Sequence, residues 1–445
     1  MPNVFIVETE QGIEAAVREM FSLLESPGNP LLKKSKEIYI KVNGIDFKKH
    51  CFTSPAVLEA ICKYLREKGA TVYVMENSTQ SNLTRIVFSI NGYLEVCERT
   101  KAIPIYLDEE DTEVFEFKGK ESVEEDPKGY RLKTFGLPET IVKIIKNRDS
   151  VTYLNLPKLK THSMAVVTLG IKNQWGFPQH SDRVKDHSYN LHSKLVDVYG
   201  YIQPDLTIID GIEGTIHGHY PPTAWEDRLV KKFNILIGGR DTVAVDVVGA
   251  RIFGLTMNEV PHLQIAHNRG LGEGDLNKIK VIGKNLNSYT ERYGWDLLQE
   301  FPPDVKIIKG SELLCREGCQ NNPLTFLQVL ANDFKEKFKG GFFMLMGKGF
   351  EDTLIEQLKA EGYKKGLVAG YCAIEEVGEK LRKEFGKRNI HFSHDCNNLP
   401  QTANALCKLS RVSILNLLPI SLEQAVELIK EAEAQGTTSI IPELG

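Results

Sequence analysis

The 445-residue chain is 42% hydrophobic and 26% charged, with a formal net charge of −4, the balance of an ordinary globular protein. That charge leaves no footprint for nucleic acid or an acidic membrane surface, and no apolar run reaches the roughly 18 residues of a spanning helix. The length calls for more than one core.

The opening stretch, MPNVFIVETEQGIEAAV, carries acidic residues early and no basic segment ahead of an apolar one. It therefore reads as no secretory signal, and the expected location is cytoplasmic. EIYIKV, from Glu37 to Val42, reads as a buried strand. Ser54 and Pro55 then open a helix with Val57, Leu58, Ile61 and Leu65 on one face and Gly69 as its stop. Cys62 within it reads as a small core residue. TVYVM (71–75) and AIPIYL (102–107) are further strands. VTYLNL (151–156), LTIID (206–210) and NILIGG (234–239) continue the rhythm, followed by the helix TVAVDVVGARIFG (242–254).

A second cycle starts after Phe301-Pro302-Pro303. FFMLMGKG, GLVAGYC and IHFSHDC each read as a strand ending in a turn, and the last helix runs from a Ser421 cap to Gly436. Strand–helix alternation of this kind predicts two α/β domains with largely parallel sheets, 1–300 and 301–445.

Ligands of open α/β sheets bind beyond the carboxyl ends of the strands, so polar residues expected on that rim are the site candidates. The first clear strand delivers Lys41 and Asn43. The strand ending at Leu156 delivers Lys158, Lys160 and His162, although both lysines read equally well as solvated surface. Asp210 and Glu213 follow the LTIID strand, and Arg240 and Asp241 follow NILIGG. Asp210 also suits turn chemistry, and Asp241 also suits a helix N-cap. Asp246 falls on the apolar stripe of Val243, Val247 and Ala250, where a carboxylate needs a partner; Arg251 is off the favourable spacing.

Lys172 is the sharpest anomaly. No charge stands between Ala165 and Ile171, and then Lys172-Asn173 precede Trp175-Gly176. Lys172 is either the cation at a helix end or a lysine in a low-dielectric pocket, where it serves as nucleophile, base or phosphate clamp. His180, His187 and His192 follow. His187 and His192 are five apart and do not share a helix face, but one of them approaching His162 would suit acid–base work.

Four long stretches, KVNG with TSPAVLEAICKYLREKGA, NLPKLKTHSMAVVTLGIKNQWG, PDLTIIDGIEG and GGRDTVAVDVVGARIFG, carry a resemblance to the domain-of-unknown-function family 362 between Glu37 and Leu271. The resemblance implies no settled activity; many members hold iron–sulfur clusters. His162, Lys172 ten residues on and His187 beyond are also similar, more distantly, to the pattern of the lactate racemase family. That likeness implies His162 in acid–base chemistry, Lys172 as anchor of a covalently bound nucleotide-type cofactor and His187 as its metal ligand. The chain departs from the family with AVVTLGI before the lysine, a spacing to His187 one residue short and no N-terminal phosphate motif.

Eight scattered cysteines form no disulfide framework. Cys315 and Cys319 form a C-x₃-C pair rather than a ferredoxin run. Cys372 and Cys396 each follow an expected strand, where a helix N-terminus would favour the thiolate. A metal site from Cys315, Cys319, Cys372 and Cys396 is one reading, and ordinary buried thiols the other. Two functions are thus expected. One is an enzyme of isomerase or oxidoreductase type on a small anionic molecule, dependent on a metal ion, iron–sulfur cluster or nucleotide-type cofactor. The alternative is a non-catalytic metal, redox or ligand-sensing protein. Neither nucleic acid nor membrane is expected as a partner, and the oligomeric state stays open.

Overall fold

The computed structural model describes residues 1–25, 30–79, 82–119, 131–186, 189–396 and 398–439. Its strands are β1 (Asn3–Glu8), β2 (Glu37–Val42), β3 (Thr71–Glu76), β4 (Ile103–Tyr106), β5 (Thr112–Glu116), β6 (Thr134–Pro138), β7 (Thr152–Leu156), β8 (Lys158–His162), β9 (Val166–Thr168), β10 (Leu206–Thr215), β11 (Val230–Gly239) and β12 (Lys280–Gly283), then β13 (Val305–Lys309), β14 (Phe342–Met346), β15 (Gly366–Ala369) and β16 (Ile390–Ser393).

The larger sheet has the order β12-β1-β11-β10-β7-β2-β3-β4, with β8 and β9 branching off β10. Neighbours along that order are parallel except at β11, which runs against both β10 and β1. Both faces are covered, so its strands read as near-continuous apolar runs. In β1, Val4 and Ile6 face one core while Phe5 and Val7 face the other, the period-2 alternation of a strand. The smaller sheet is wholly parallel, β13-β14-β15-β16 in chain order, with an apolar core on each face. A mixed α/β architecture with largely parallel sheets is therefore what this sequence forms. A two-stranded antiparallel ribbon, β5 with β6, stands apart.

Two departures from the expected elements shape the site. The basic segment after Leu156 is a strand, not a loop. Pro157 has no amide to give to the ladder, its carbonyl accepts from the Asp210 amide at 2.9 Å, and the chain resumes as β8 beside the far half of β10. β10 itself bulges between Gly211 and Glu213. The second departure is the direction of β11. Its last residue Gly239 pairs with Thr207 at the start of β10, which puts Arg240 and Asp241 at the amino edge of the parallel strands. They do not join the rim. Arg240 instead donates to the carbonyls of Leu24 and Pro30, and Asp241 caps the Thr242–Ile252 helix through the Ala244 amide.

Candidate functional site: a buried cationic pocket

The floor of the site is set from beneath. Asp246, wholly buried on the Thr242–Ile252 helix, accepts from the amides of Gly170 and Ile171 at 2.7 and 2.8 Å. These are free donors of the short Gly170–Asn173 helix. The partner of the misplaced carboxylate is thus backbone, not Arg251. Only glycine fits at 170, because a Cβ there would stand 2.5 Å from Thr242 and 2.9 Å from the Asp246 carboxylate. Burial outweighs the two amides and lifts the Asp246 pKa to about 7.

Above this cap an asparagine ladder ties three elements together. Asn43 donates to Asn173 at 2.7 Å, Asn173 to Asn155 at 2.7 Å and Asn155 to the Gly170 carbonyl at 2.8 Å. The ladder holds Lys172 in a cavity of about 60 Å³ walled by Lys41, Glu76, Asn77, Thr168 and Arg183 among others. Lys41 pairs with Glu76, whose other oxygen accepts from the Gly44 amide at 2.5 Å. Arg183 donates to Asn77 and to the Ser78 carbonyl, both at 2.8 Å. Lys172 is 8% exposed, and among the described residues no acceptor meets its ammonium. Burial, then repulsion by Lys160, Arg183 and Lys41, brings its pKa down to about 7, with Glu76 the opposing charge.

The branch strand supplies the rest. Lys158 and Lys160 are buried, which decides against solvated lysines. Lys158 pairs with Asp210 at 3.1 Å, and Asp210 also accepts from the Ser54 amide at 2.7 Å. Lys160 donates to the Cys51 carbonyl, and burial lowers its pKa to about 8. His162 accepts at Nδ1 from the amides of Met164 and Ala165, at 3.1 and 3.3 Å. Its ring stacks on His219 with centroids 3.7 Å apart. The turn that returns from His162 places Val166 at φ 69°, a strained conformation for a β-branched residue. Glu213 lies to one side, bonded to His50 at 2.6 Å. His187 lies outside the described residues.

The structure therefore gathers Lys41, Asn43, Lys172 and Asn173 around one cavity, with Asp246 below it and Lys160 within electrostatic reach. It adds Glu76, Asn77 and Arg183, which sequence reasoning passed over. Glu76 stood one residue past the apolar run TVYVM, and a carboxylate ending a buried strand was the available signal. His192 meets His262, which sequence reasoning passed over, with Nδ1 atoms 3.0 Å apart; burial and then the Lys172 charge hold the His192 pKa down at about 4.

Residues 38–251 match the family model described as a domain of unknown function, DUF362. The matched stretch contains every lysine of the cluster, the ladder and Asp246. The chain is also 27% identical over 270 residues to the thylakoid-associated protein sll1697 of Synechocystis sp., an alignment covering 58% of this chain and 75% of that relative. The family-model match ends at residue 251, before the smaller sheet, whose rim forms a second cluster.

There Cys319 lies against the end of β15, where a Cβ on Gly370 would meet its Sγ at 3.5 Å. Cys315, Cys319, Cys372 and Cys396 share one electrostatic neighbourhood. Burial, then the charge of Cys315, lifts Cys319 to about 12, and burial lifts Cys396 despite its place at the sheet rim. Cys396 stands in the turn before the Leu399–Ser410 helix, whose N-cap is Asn398, and burial keeps its thiol protonated. Among the described residues no three His, Cys, Asp or Glu side chains are grouped to hold a metal ion, and no helix is long and apolar enough to cross a membrane.

Proposed function

We propose that the Lys172 pocket binds the anionic head of a small substrate and that Lys172 exchanges a proton with it, as in an isomerase. One observation carries the reading: a buried ammonium without an acceptor, among three further cations and a single opposing carboxylate. A buried charge is tolerated when something pairs it, and a carboxylate or phosphate oxygen would do so. A lysine that titrates near 7 populates amine and ammonium together, the condition for taking a proton from a substrate carbon and returning it. Lys41 and Arg183 would orient the head, and Asp246 and the asparagine ladder would position Lys172.

A cavity of about 60 Å³ falls well short of the ~300 Å³ at the lower end of ligand pockets. That is room for the head of a ligand rather than for a whole one. The test is calorimetric titration with sulfate, which does not titrate near neutrality. The wild type should bind, with affinity falling as pH rises through about 7, because the amine form of Lys172 offers no charge. Lys172→Met should weaken binding roughly ten- to hundredfold, the worth of a charge-assisted hydrogen bond. Equal binding by the variant would overturn the reading.

The convergence of four cysteines supports a second one, a redox role for the smaller sheet. Single-ion coordination asks for Sγ atoms packed around metal–sulfur bonds of about 2.3 Å, which this rim does not offer. A polynuclear iron–sulfur cluster reaches further out to its thiolates, and Cys315, Cys319, Cys372 and Cys396 would be its ligands. Such a group supplies one-electron transfer when bound. Iron and sulfide analysis of anaerobically purified protein tests it; metal-free protein of undiminished stability would overturn it. Cys51, Cys62, Cys97 and Cys407 are buried free thiols, which supports a reducing, cytoplasmic setting.

A further inference from the structure

The Lys172 pocket is the first of three neighbouring cavities. Ile45 and Thr79 line both that pocket and a second cavity of about 80 Å³. Asp46, Tyr220 and Phe326 line both the second cavity and a third of about 600 Å³. The three thus adjoin through shared wall residues, with polarity graded from one to the next. In the Lys172 pocket stand the cations, with the Thr168 hydroxyl and the Asn43 side-chain oxygen Oδ1 buried and unpartnered among the described residues. In the middle the buried His219 presents an unpartnered Nδ1, and Tyr220 donates to Asp46 at 3.0 Å. The far chamber is mainly apolar, with Leu83, Ile86, Phe326, Val329, Leu418 and Ile429 in its wall.

The chamber lies between the two sheets and under the last helix. Asn321–Asp333 supplies Phe326 and Val329, and Leu422–Ala434 supplies Ile429. That last helix is held down by Leu83, Ile86 and Ala432 and by Arg85 on Glu431 at 3.3 Å. The chain beyond it is pinned at Asp108, which accepts from the Ser439 hydroxyl at 2.7 Å. At the opposite wall Lys48 bridges Asp333 and Thr223. A volume of about 600 Å³ is that of a site for a medium-sized organic molecule; a small hydrophilic anion would leave it unfilled.

Resting on the proposed reading of the Lys172 pocket, we infer that the substrate is an anionic amphiphile. Its charged head sits against Lys172, Lys41 and Arg183, and its apolar body runs past His219 and Tyr220 into the chamber. The site thus selects by body size as well as by charge.

Straight-chain carboxylates from acetate to dodecanoate, kept below micelle-forming concentration, test this on the full-length protein by calorimetry. Affinity should rise about fourfold per methylene, as expected for burying one such group, until the chamber is filled. Val329→Trp should flatten that rise and leave sulfate binding unchanged; Ala403→Phe, on the same chamber wall, is the second variant should the first fail to melt cooperatively. Lys172→Met should weaken every member of the series alike. Lys172-dependent binding of acetate and sulfate with no gain from chain length would overturn the amphiphile inference and leave the anion pocket standing. Chain-length-dependent binding that ignores Lys172→Met would overturn the link between chamber and lysine. Binding that depends on neither would overturn both.

Discussion

The large-sheet rim and the small-sheet rim are built by the same rule and end in opposite chemistry. Each collects side chains from the carboxyl ends of parallel strands. On the large sheet the collected groups are cations, buried with too little opposing charge, and an underlying helix contributes Asp246 to hold the Lys172 turn. On the small sheet the collected groups are thiols, and desolvation keeps those of Cys315, Cys319 and Cys396 protonated. Topology thus chooses where residues meet, while burial and neighbouring charge choose which protonation state they hold.

Asp246→Ala probes the difference most strongly. It orphans the Gly170 and Ile171 amides in a core that admits no water contact, and it should cost about 2–5 kcal/mol of unfolding free energy in a urea titration. Next in size, Lys172→Met should stabilise the protein by about 2–4 kcal/mol at pH 7. The sign follows from a folded pKa of about 7 below the ordinary lysine value near 10.4. The wild type bears the full cost of a buried cation below pH 7 and sheds it between 7 and about 10, so the two melting curves should converge in alkali. Asp246 acts in the adjoining window. Its folded pKa near 7 exceeds the ordinary 3.9, so stability should fall as pH rises from about 4 to 7. Asp246→Asn should remove that slope. Together the two groups predict a dip in wild-type stability near neutrality, visible as a minimum in melting temperature against pH. Smallest of all, Cys372→Ser or Cys396→Ser in reduced, metal-free protein should shift stability by under about 1 kcal/mol. A large loss there would show that the thiols are structural after all and would collapse the contrast between the rims.

Much of this was legible because buried charge breaks an apolar pattern. Lys172 stood out after an uncharged run, and Asp246 stood out on an apolar stripe; both proved to be parts of one device. Arg240 and Asp241 were misplaced for a reason the pattern cannot show. NILIGG has the same apolar profile whichever way the strand runs, so the antiparallel β11 carried its polar end to the far edge unseen. Arg183 was missed because QHSDRVKD looks like any solvated helix face until Asn77 and Ser78 approach it from another strand. The lysines of β8 were ambiguous for the converse reason: four polar residues in KLKTH do not announce a buried strand, and only the continuation of β10 beside it gives it a neighbour.

The position of β1 has a consequence for synthesis. Its partners are β11 and β12, more than two hundred residues downstream. At about 5–20 residues per second, β1 waits on the order of tens of seconds after its own synthesis before either neighbour exists. During that interval VFIV is an exposed apolar strand with two unsatisfied edges. The larger sheet is therefore completed late, and the nascent β1 segment is a natural client for holding chaperones.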